Sequence, residues 1–156
     1  SEPGRGSRFR TFLPRVSGPL AEGEHPAAEL PARRAEGTIL LVEDEEAVRR
    51  LAQRVLEGVG YRLLVASSGA EALAMAAAHA GPIDLMVTDV IMPGMSGQEL
   101  STRLRALRPD LPILYVSGYT DDAILQHGTL LPNTTFLQKP FTAVALAQRV
   151  HEGLRG

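Results

Sequence analysis

Five polar side chains follow short apolar segments of this sequence, and their types suit them to handle a phosphoryl group. They are Glu43, Asp44, Asp89, Ser117 and Lys139. Carboxylates that lie close together resist full ionisation unless a cation neutralises them, and a hard divalent ion such as Mg²⁺ prefers oxygen ligands. A carboxylate that faces such an ion, an ammonium and a hydroxyl is suited to phosphoryl transfer, which depends mainly on positioning and charge neutralisation. We therefore predict an aspartate that accepts a phosphoryl group.

The apolar pattern predicts the strands that must bring these side chains together. Continuous apolar runs, typical of strands buried on both faces, lie at 38–42, 63–66, 85–87, 112–116 and 135–137. Their alternation with helical patterns predicts an α/β fold with a doubly wound, parallel five-stranded sheet. The carboxyl ends of parallel strands meet at one edge of such a sheet, where ligands bind. The carboxylates that follow the first and third strands become neighbours if the strand order is 2-1-3-4-5.

Helical patterns separate the predicted strands. Apolar residues recur at helical spacing, and Leu51 and Leu107 belong to two of the predicted apolar faces. Ser96 begins a capping-box pattern ahead of one helix, and Thr142 can cap the last helix. A short helix is also predicted at 121–126, so each of the five strands has a helix after it.

Composition excludes several classes of protein. The 156 residues, 44% of them hydrophobic and 22% charged, are enough for one ordinary domain with a real core. A net charge of −2 argues against a general nucleic-acid binder, which needs a basic face. The absence of cysteine excludes disulfides, thiolate zinc sites and cysteine nucleophiles. No apolar run reaches the roughly 18 residues of a membrane-spanning helix.

Each candidate residue also has a plain structural interpretation. The acidic run at 43–46 is typical of a helix N-terminus, Asp89 and Ser117 precede turn-forming residues, and Lys139 suits an ordinary surface position. Lys139 is, however, the single lysine among 16 Lys and Arg residues. Four chance placements at the ends of four strands are less probable than one shared site.

Residues from about 38 to 154 resemble a two-component receiver, or response-regulator, domain. The resemblance implies a flavodoxin-like (βα)5 fold with strand order 2-1-3-4-5. Four segments carry it: LLVEDEE at 40–46, MVTDVIMPGMSG at 86–97, YVSGY at 115–119 and FLQKPF at 136–141.

The resemblance implies a phosphoacceptor and a metal site. Asp89 is then the phosphoacceptor. Asp44 and Asp89 are expected to ligate Mg²⁺ directly, together with the backbone carbonyl of Ile91. Glu43 is expected to act through water, at a position where many receivers have Asp.

The resemblance also implies residues that respond to phosphorylation. Ser117 is expected to donate a hydrogen bond to the phosphoryl group, and the Lys139 ammonium is expected to pair with it. The Lys139–Pro140 peptide bond is expected to be cis. Phe136 occupies the position of the switch aromatic residue and brings no hydroxyl there. The expected consequence is a change in the face formed by helix 4, strand 5 and helix 5.

The N-terminal part carries a second resemblance. Residues 1–16 resemble the C-terminal end of a histidine-kinase ATPase domain, on the segment GRGS at 4–7 and the residues that follow. Residues 17–36 are rich in Pro, Ala, Glu and Gly, which is typical of a flexible linker, and 37–156 form the receiver. This order is that of a bacterial hybrid sensor histidine kinase.

The resemblance implies partners and leaves two alternatives open. The expected partner is a histidine kinase core or a histidine phosphotransfer protein, met in the cytoplasm, with the chain a monomer or weak dimer. No nucleic-acid contact and no membrane segment in this chain are expected, and association of the parent protein with a membrane is left open. This chain is then an enzyme only in catalysing its own phosphorylation. The alternatives are a pseudo-receiver scaffold and an aspartyl-nucleophile Mg²⁺ phosphatase of the haloacid-dehalogenase type. Such a phosphatase has a second Asp two residues after its nucleophile, and this chain has Ile91 at that position.

Overall fold

A computed structural model of the chain describes residues 36–118 and 134–155. In this part of the chain five parallel strands form one sheet in the order β2-β1-β3-β4-β5, so the predicted architecture and strand order are confirmed. The strands are β1 (Thr38–Val42), β2 (Arg62–Ala66), β3 (Leu85–Asp89), β4 (Ile113–Ser117) and β5 (Thr134–Gln138). The helices are α1 (Glu46–Val59), α2 (Gly69–Ala78), α3 (Gly97–Leu107) and α4 (Ala143–Gly153).

Three of the sequence predictions lie wholly or mostly outside the described residues. They are the short helix at 121–126, the kinase remnant at 1–16 and the linker at 17–36, of which the structure describes the last residue. Helix α4 is therefore the fifth helix of the sequence prediction.

Two layers of helices cover the sheet because β1, β3 and β4 are apolar on both faces. Ile39 and Leu41 of β1 join the core cluster that also holds the buried side chains of α1 and α4. Leu40 and Val42, which alternate with them, join the cluster that holds those of α2 and α3. The alternation arises because successive side chains along a β-strand point to opposite faces of the sheet. The functional edge of the sheet is thereby held between two packed layers.

The predicted helix starts are confirmed, whereas two predicted apolar contacts are wrong. The hydroxyl oxygens of Ser96 and Thr142 accept hydrogen bonds from the backbone N–H groups three residues later, at 3.2 and 3.1 Å. Leu51 and Leu107, however, are 50% and 60% exposed. Each lies at the margin of its helix's apolar stripe, where a periodic pattern does not distinguish the core from its rim.

A buried hydroxyl pair ties β4 to α3. Tyr115 donates a hydrogen bond to the hydroxyl oxygen of Ser101 at 2.7 Å, and Ser101 donates onward to the carbonyl of Gln98 at 2.7 Å. Both side chains are almost fully buried. The Tyr115 ring also stacks on Phe136, with 5.5 Å between ring centroids. The phenol therefore links the expected switch residue to α3.

This pair gives a stability prediction. Ser101→Ala leaves the Tyr115 hydroxyl buried without that acceptor, so we expect the free energy of unfolding to fall by about 1–3 kcal/mol. Adding Tyr115→Phe removes the stranded hydroxyl and is expected to restore part of the loss. Urea unfolding of both variants measures this, and a double variant less stable than Ser101→Ala would contradict it.

None of the helices in residues 36–118 and 134–155 is long and apolar enough to cross a membrane.

Candidate functional site

The loop after β1 contributes two carboxylates. Glu43 follows the last residue of β1, and its side chain turns into the protein with 4% of the residue exposed. Its backbone N–H donates to the carbonyl of Ala66 at 3.2 Å, which extends the pairing of β1 with β2. Asp44, one residue further on, is exposed. The loop thus offers one buried and one solvent-facing carboxylate.

Asp89 ends β3, the strand beside β1. The register pairs Val42 with Thr88, so Glu43 and Asp89 come at the same edge of the sheet. The backbone N–H of Ile91 donates to Asp89 Oδ1 at 3.1 Å and orients the carboxylate. Glu43, Asp44 and Asp89 each offer a carboxylate oxygen, and the three oxygens lie within 4.8 Å of one another.

Lys139 reaches this cluster from β5. Its Nζ donates to Asp89 Oδ2 at 2.7 Å and to Glu43 Oε2 at 2.8 Å. Its backbone N–H donates to the carbonyl of Ser117 at 2.8 Å, and the Lys139–Pro140 peptide is cis as expected. The ammonium therefore bridges the carboxylates at the ends of β1 and β3. It does so from the end of β5, which pairs with neither of those strands.

The electrostatics of the site favour a protonated lysine. Burial alone lowers the pKa of Lys139, but hydrogen bonds and charge interactions with Asp89 and Glu43 outweigh it, and the pKa lies above its usual value. Burial raises the pKa of Glu43, and the Lys139 ammonium offsets this only in part. One ammonium therefore faces three carboxylates in the cluster.

The donor set fits a hard divalent cation. Three carboxylates are the ligand chemistry that Mg²⁺ or Ca²⁺ takes. Opposite oxygens around an octahedral Mg²⁺ lie about 4.2 Å apart, twice its bond length of about 2.1 Å. The three carboxylate oxygens all lie within 4.8 Å of one another, near enough to share one ion. Within residues 36–118 and 134–155, the cluster consists of carboxylates.

The remaining predicted residues surround the cluster. Ser117, the last residue of β4, is buried between β3 and β5. Phe136 is half-buried on β5 against Tyr115. Ile91 is 64% exposed beside Asp89, and its carbonyl as a metal ligand stays a prediction. The structure thus brings Glu43, Asp44, Asp89 and Lys139 into one site, while their chemical roles stay predictions.

Two residues at the site escaped the sequence analysis. Arg49 Nη1 donates to the backbone carbonyls of Glu43 at 2.8 Å and Asp44 at 3.1 Å. Gly97 packs so closely that a Cβ on it would overlap the carbonyl oxygen of Asp89. A glycine at the first position of a helix was a signal of close backbone approach, whereas no sequence signal marked Arg49.

Comparison with known proteins identifies the family of the chain. The family model described as the response regulator receiver domain matches residues 39–151. The chain therefore belongs to the response regulator receiver domain family.

Two of the similar proteins are a hybrid histidine kinase receiver and a sensor kinase, which indicates the kind of receiver that this chain resembles. The chain is 38% identical over 161 residues to the sensor kinase CckA of Brucella abortus (strain 2308), which covers 99% of the chain and 17% of that kinase. A crystal structure of the receiver domain from the hybrid histidine kinase CckA is 42% identical, with a TM-score of 0.65, and covers 76% of the chain and 99% of that domain. The response regulator receiver protein CpdR of Brucella abortus (strain 2308) is 32% identical over 74% of the chain and 95% of its own length. The chain spans only 17% of the length of the sensor kinase. Because it covers 99% of the CckA receiver structure, the part of a hybrid kinase that it resembles is the receiver.

Proposed function

We propose that this chain is the phosphoacceptor receiver of a two-component phosphorelay and that Asp89 takes a phosphoryl group from phosphohistidine in the presence of Mg²⁺. The observation that carries the proposal is the contact of Asp89 Oδ2 with the Lys139 ammonium at 2.7 Å, beside two further carboxylates. An aspartate flanked by a lysine and a cation-binding cluster is suited to hold a transferred phosphoryl group.

The transfer itself exchanges one bond to phosphorus for another. A carboxylate oxygen of Asp89 forms a bond to phosphorus as the bond between phosphorus and the histidine nitrogen breaks. The nitrogen keeps the electron pair of that bond. Asp44, Asp89 and the backbone carbonyl of Ile91 would hold Mg²⁺, with Glu43 acting through water, and the ion would neutralise charge on the phosphoryl oxygens.

The residues around Asp89 adapt to the new charge. The phosphoryl group brings about −1.5 to −2 charges, so the Lys139 ammonium moves its pairing from the Asp89 carboxylate to the phosphoryl oxygens. The hydroxyl of Ser117, on the adjacent strand, turns to donate to the same group. Phe136 then fills the space that Ser117 leaves, which changes the face formed by β5, α4 and the preceding helix of the sequence prediction.

We further propose that the chain is part of a bacterial hybrid histidine kinase. The alignment to the sensor kinase CckA covers 99% of the chain, including residues before the receiver. In this proposal 1–16 end an ATPase domain, 17–36 are the linker and 37–156 are the receiver. A kinase core or a histidine phosphotransfer protein exchanges phosphoryl groups with it in the cytoplasm, and the receiver acts as a monomer or weak dimer.

The charge and shape of Lys139 give a prediction for switching. Lys139→Arg keeps the positive charge but replaces a compact ammonium with a wide planar fork. We expect phosphoryl uptake to fall by less than about tenfold, or about 1.4 kcal/mol in barrier. The phosphorylation-dependent change in hydrogen exchange over β5 and α4 is expected to disappear.

The reverse exchange at a surface site is the control. Arg103 pairs with Glu99 on the exposed face of α3, so Arg103→Lys should change neither uptake nor exchange. A normal exchange response in phosphorylated Lys139→Arg would show that the lysine is not needed for switching.

Phosphotransfer profiling tests the proposed function. The receiver is mixed with a panel of radiolabelled, autophosphorylated histidine kinases, with Mg²⁺ or with a chelator. We expect label to move to the receiver from a subset of the kinases, only with Mg²⁺. A receiver that takes label from no donor would be a scaffold, and continuous release of phosphate from a phosphomonoester would indicate a phosphatase. Either result would overturn the proposal.

A further inference from the structure

We propose that Arg49 is a positioning residue that holds the loop between β1 and α1 so that the Glu43 and Asp44 carboxylates face Asp89. This inference deepens the proposed function and rests on it for the identity of the cation. Its structural part, the fixing of the loop, stands on the contacts of Arg49 alone.

The first observation is the pair of bonds that one guanidinium nitrogen makes. Arg49 Nη1 donates to the carbonyl oxygens of Glu43 and Asp44, at 2.8 and 3.1 Å. These are consecutive peptide groups, and they carry two of the three clustered carboxylates. Hydrogen bonds from a charged donor are stronger than those between neutral groups, so this pair favours the observed loop conformation.

The second observation is the way α1 begins. Helices α2, α3 and α4 each start with a Ser or Thr whose hydroxyl caps a backbone N–H. The N-cap of α1 is Glu45, whose side chain makes no cap hydrogen bond. The start of α1 therefore lacks the hydrogen bond that an N-cap side chain usually accepts from the helix backbone. Arg49, from the first turn of the helix, bonds back to the loop and holds the start of α1 instead.

The third observation is which atoms Arg49 uses. Its bonds go to backbone carbonyls, and the Glu43 carboxylate oxygens accept from Lys139 and the Glu45 N–H instead. Arg49 is half-buried beside the cluster, so it also adds positive charge without occupying a ligand position. A residue that orients metal ligands without touching the metal is typical of such sites, and its loss costs about 10–100-fold in metal affinity.

The test compares Arg49→Ala with Arg50→Ala. Arg50 is the next residue on α1, and its guanidinium forms an exposed ion pair with Glu46. We expect Arg49→Ala to weaken Mg²⁺ binding by about tenfold or more in calorimetric titration, and Arg50→Ala to leave it unchanged. Arg49→Lys keeps the charge without the fork, so we expect an intermediate affinity. This variant also keeps the test open if Arg49→Ala does not fold.

Hydrogen exchange without Mg²⁺ separates this inference from the proposed function. We expect the amides of residues 44–46 to exchange faster in Arg49→Ala and Arg49→Lys than in wild type, and not in Arg50→Ala. Unchanged exchange in both Arg49 variants, or unchanged Mg²⁺ affinity in a folded Arg49→Ala, would overturn the positioning role. If the wild type binds no Mg²⁺, the proposed function fails, and exchange at 44–46 alone decides the role of Arg49.

Discussion

The Asp89→Asn variant should take up no phosphoryl group from a phosphohistidine donor, with a loss of at least about a thousandfold in rate, the scale expected when a reacting nucleophile is removed. The amide has no anionic oxygen to attack phosphorus, although it nearly matches the carboxylate in shape. Asn keeps an oxygen that can accept the bond from the Ile91 N–H. Lys139 keeps its bond to Glu43, so the fold of the site should survive.

The control for this variant is the same substitution away from the site. Asp110 is exposed in the turn between α3 and β4, so Asp110→Asn should take up phosphoryl groups at the rate of the wild type. Intact mass after incubation with the donor and Mg²⁺ measures both variants. A phosphoryl increment on Asp89→Asn equal to that of wild type would place the acceptor elsewhere.

Among the glycines in residues 36–118 and 134–155, Gly97 should be the one whose replacement by alanine lowers stability most. A Cβ at Gly97 would overlap the carbonyl oxygen of Asp89 and lie 3.2 Å from the Thr88 methyl group. The N–H of Gly97 also donates to the carbonyl of Val90 at 3.0 Å, which fixes α3 against the end of β3. The helix must shift to admit the methyl group. We expect the free energy of unfolding to fall by about 1–3 kcal/mol.

Gly58→Ala is the matched control for this change. Gly58 lies in α1, and nothing comes within 4 Å of a Cβ placed there. Because alanine favours helix over glycine, this variant should be more stable by about 0.5–1 kcal/mol. Urea unfolding compares the two. Phosphoryl uptake should slow in Gly97→Ala, since Asp89 is displaced. A Gly97→Ala variant as stable as wild type would contradict the close packing at this position.

The strands and the edge that holds the site could be predicted because their signals are local, whereas the strand order came from the resemblance to receiver domains. An apolar run such as 38–42 has one good environment, a strand buried on both faces. Once the strands are parallel, the residues after them must share an edge. The pattern alone therefore brings Glu43 and Asp89 to one edge, and the strand order 2-1-3-4-5 makes them neighbours. The caps at Ser96 and Thr142 follow from residue type.

What could not be predicted depends on contacts between distant elements. The bridge from Lys139 to both Glu43 and Asp89 needs the positions of three strands at once. The bond between Tyr115 and Ser101 depends on how α3 lies on the sheet, and no pattern in either segment reports that. For Leu51 and Leu107 the pattern predicts too much. Helical spacing assigns both residues to an apolar face, but the sheet does not cover that face as far as these side chains, and both are exposed.

Chemical trapping of the phosphorylated residue tests the central claim most directly. The protein is phosphorylated with a small acyl-phosphate donor and Mg²⁺ and then reduced with borohydride. Borohydride converts an aspartyl phosphate to homoserine, and peptide mass spectrometry locates the product. We predict homoserine at position 89 in the sample with donor and Mg²⁺, and unmodified Asp89 when either is omitted. Reduction at Glu43 or Asp44, or at no residue, would contradict the account.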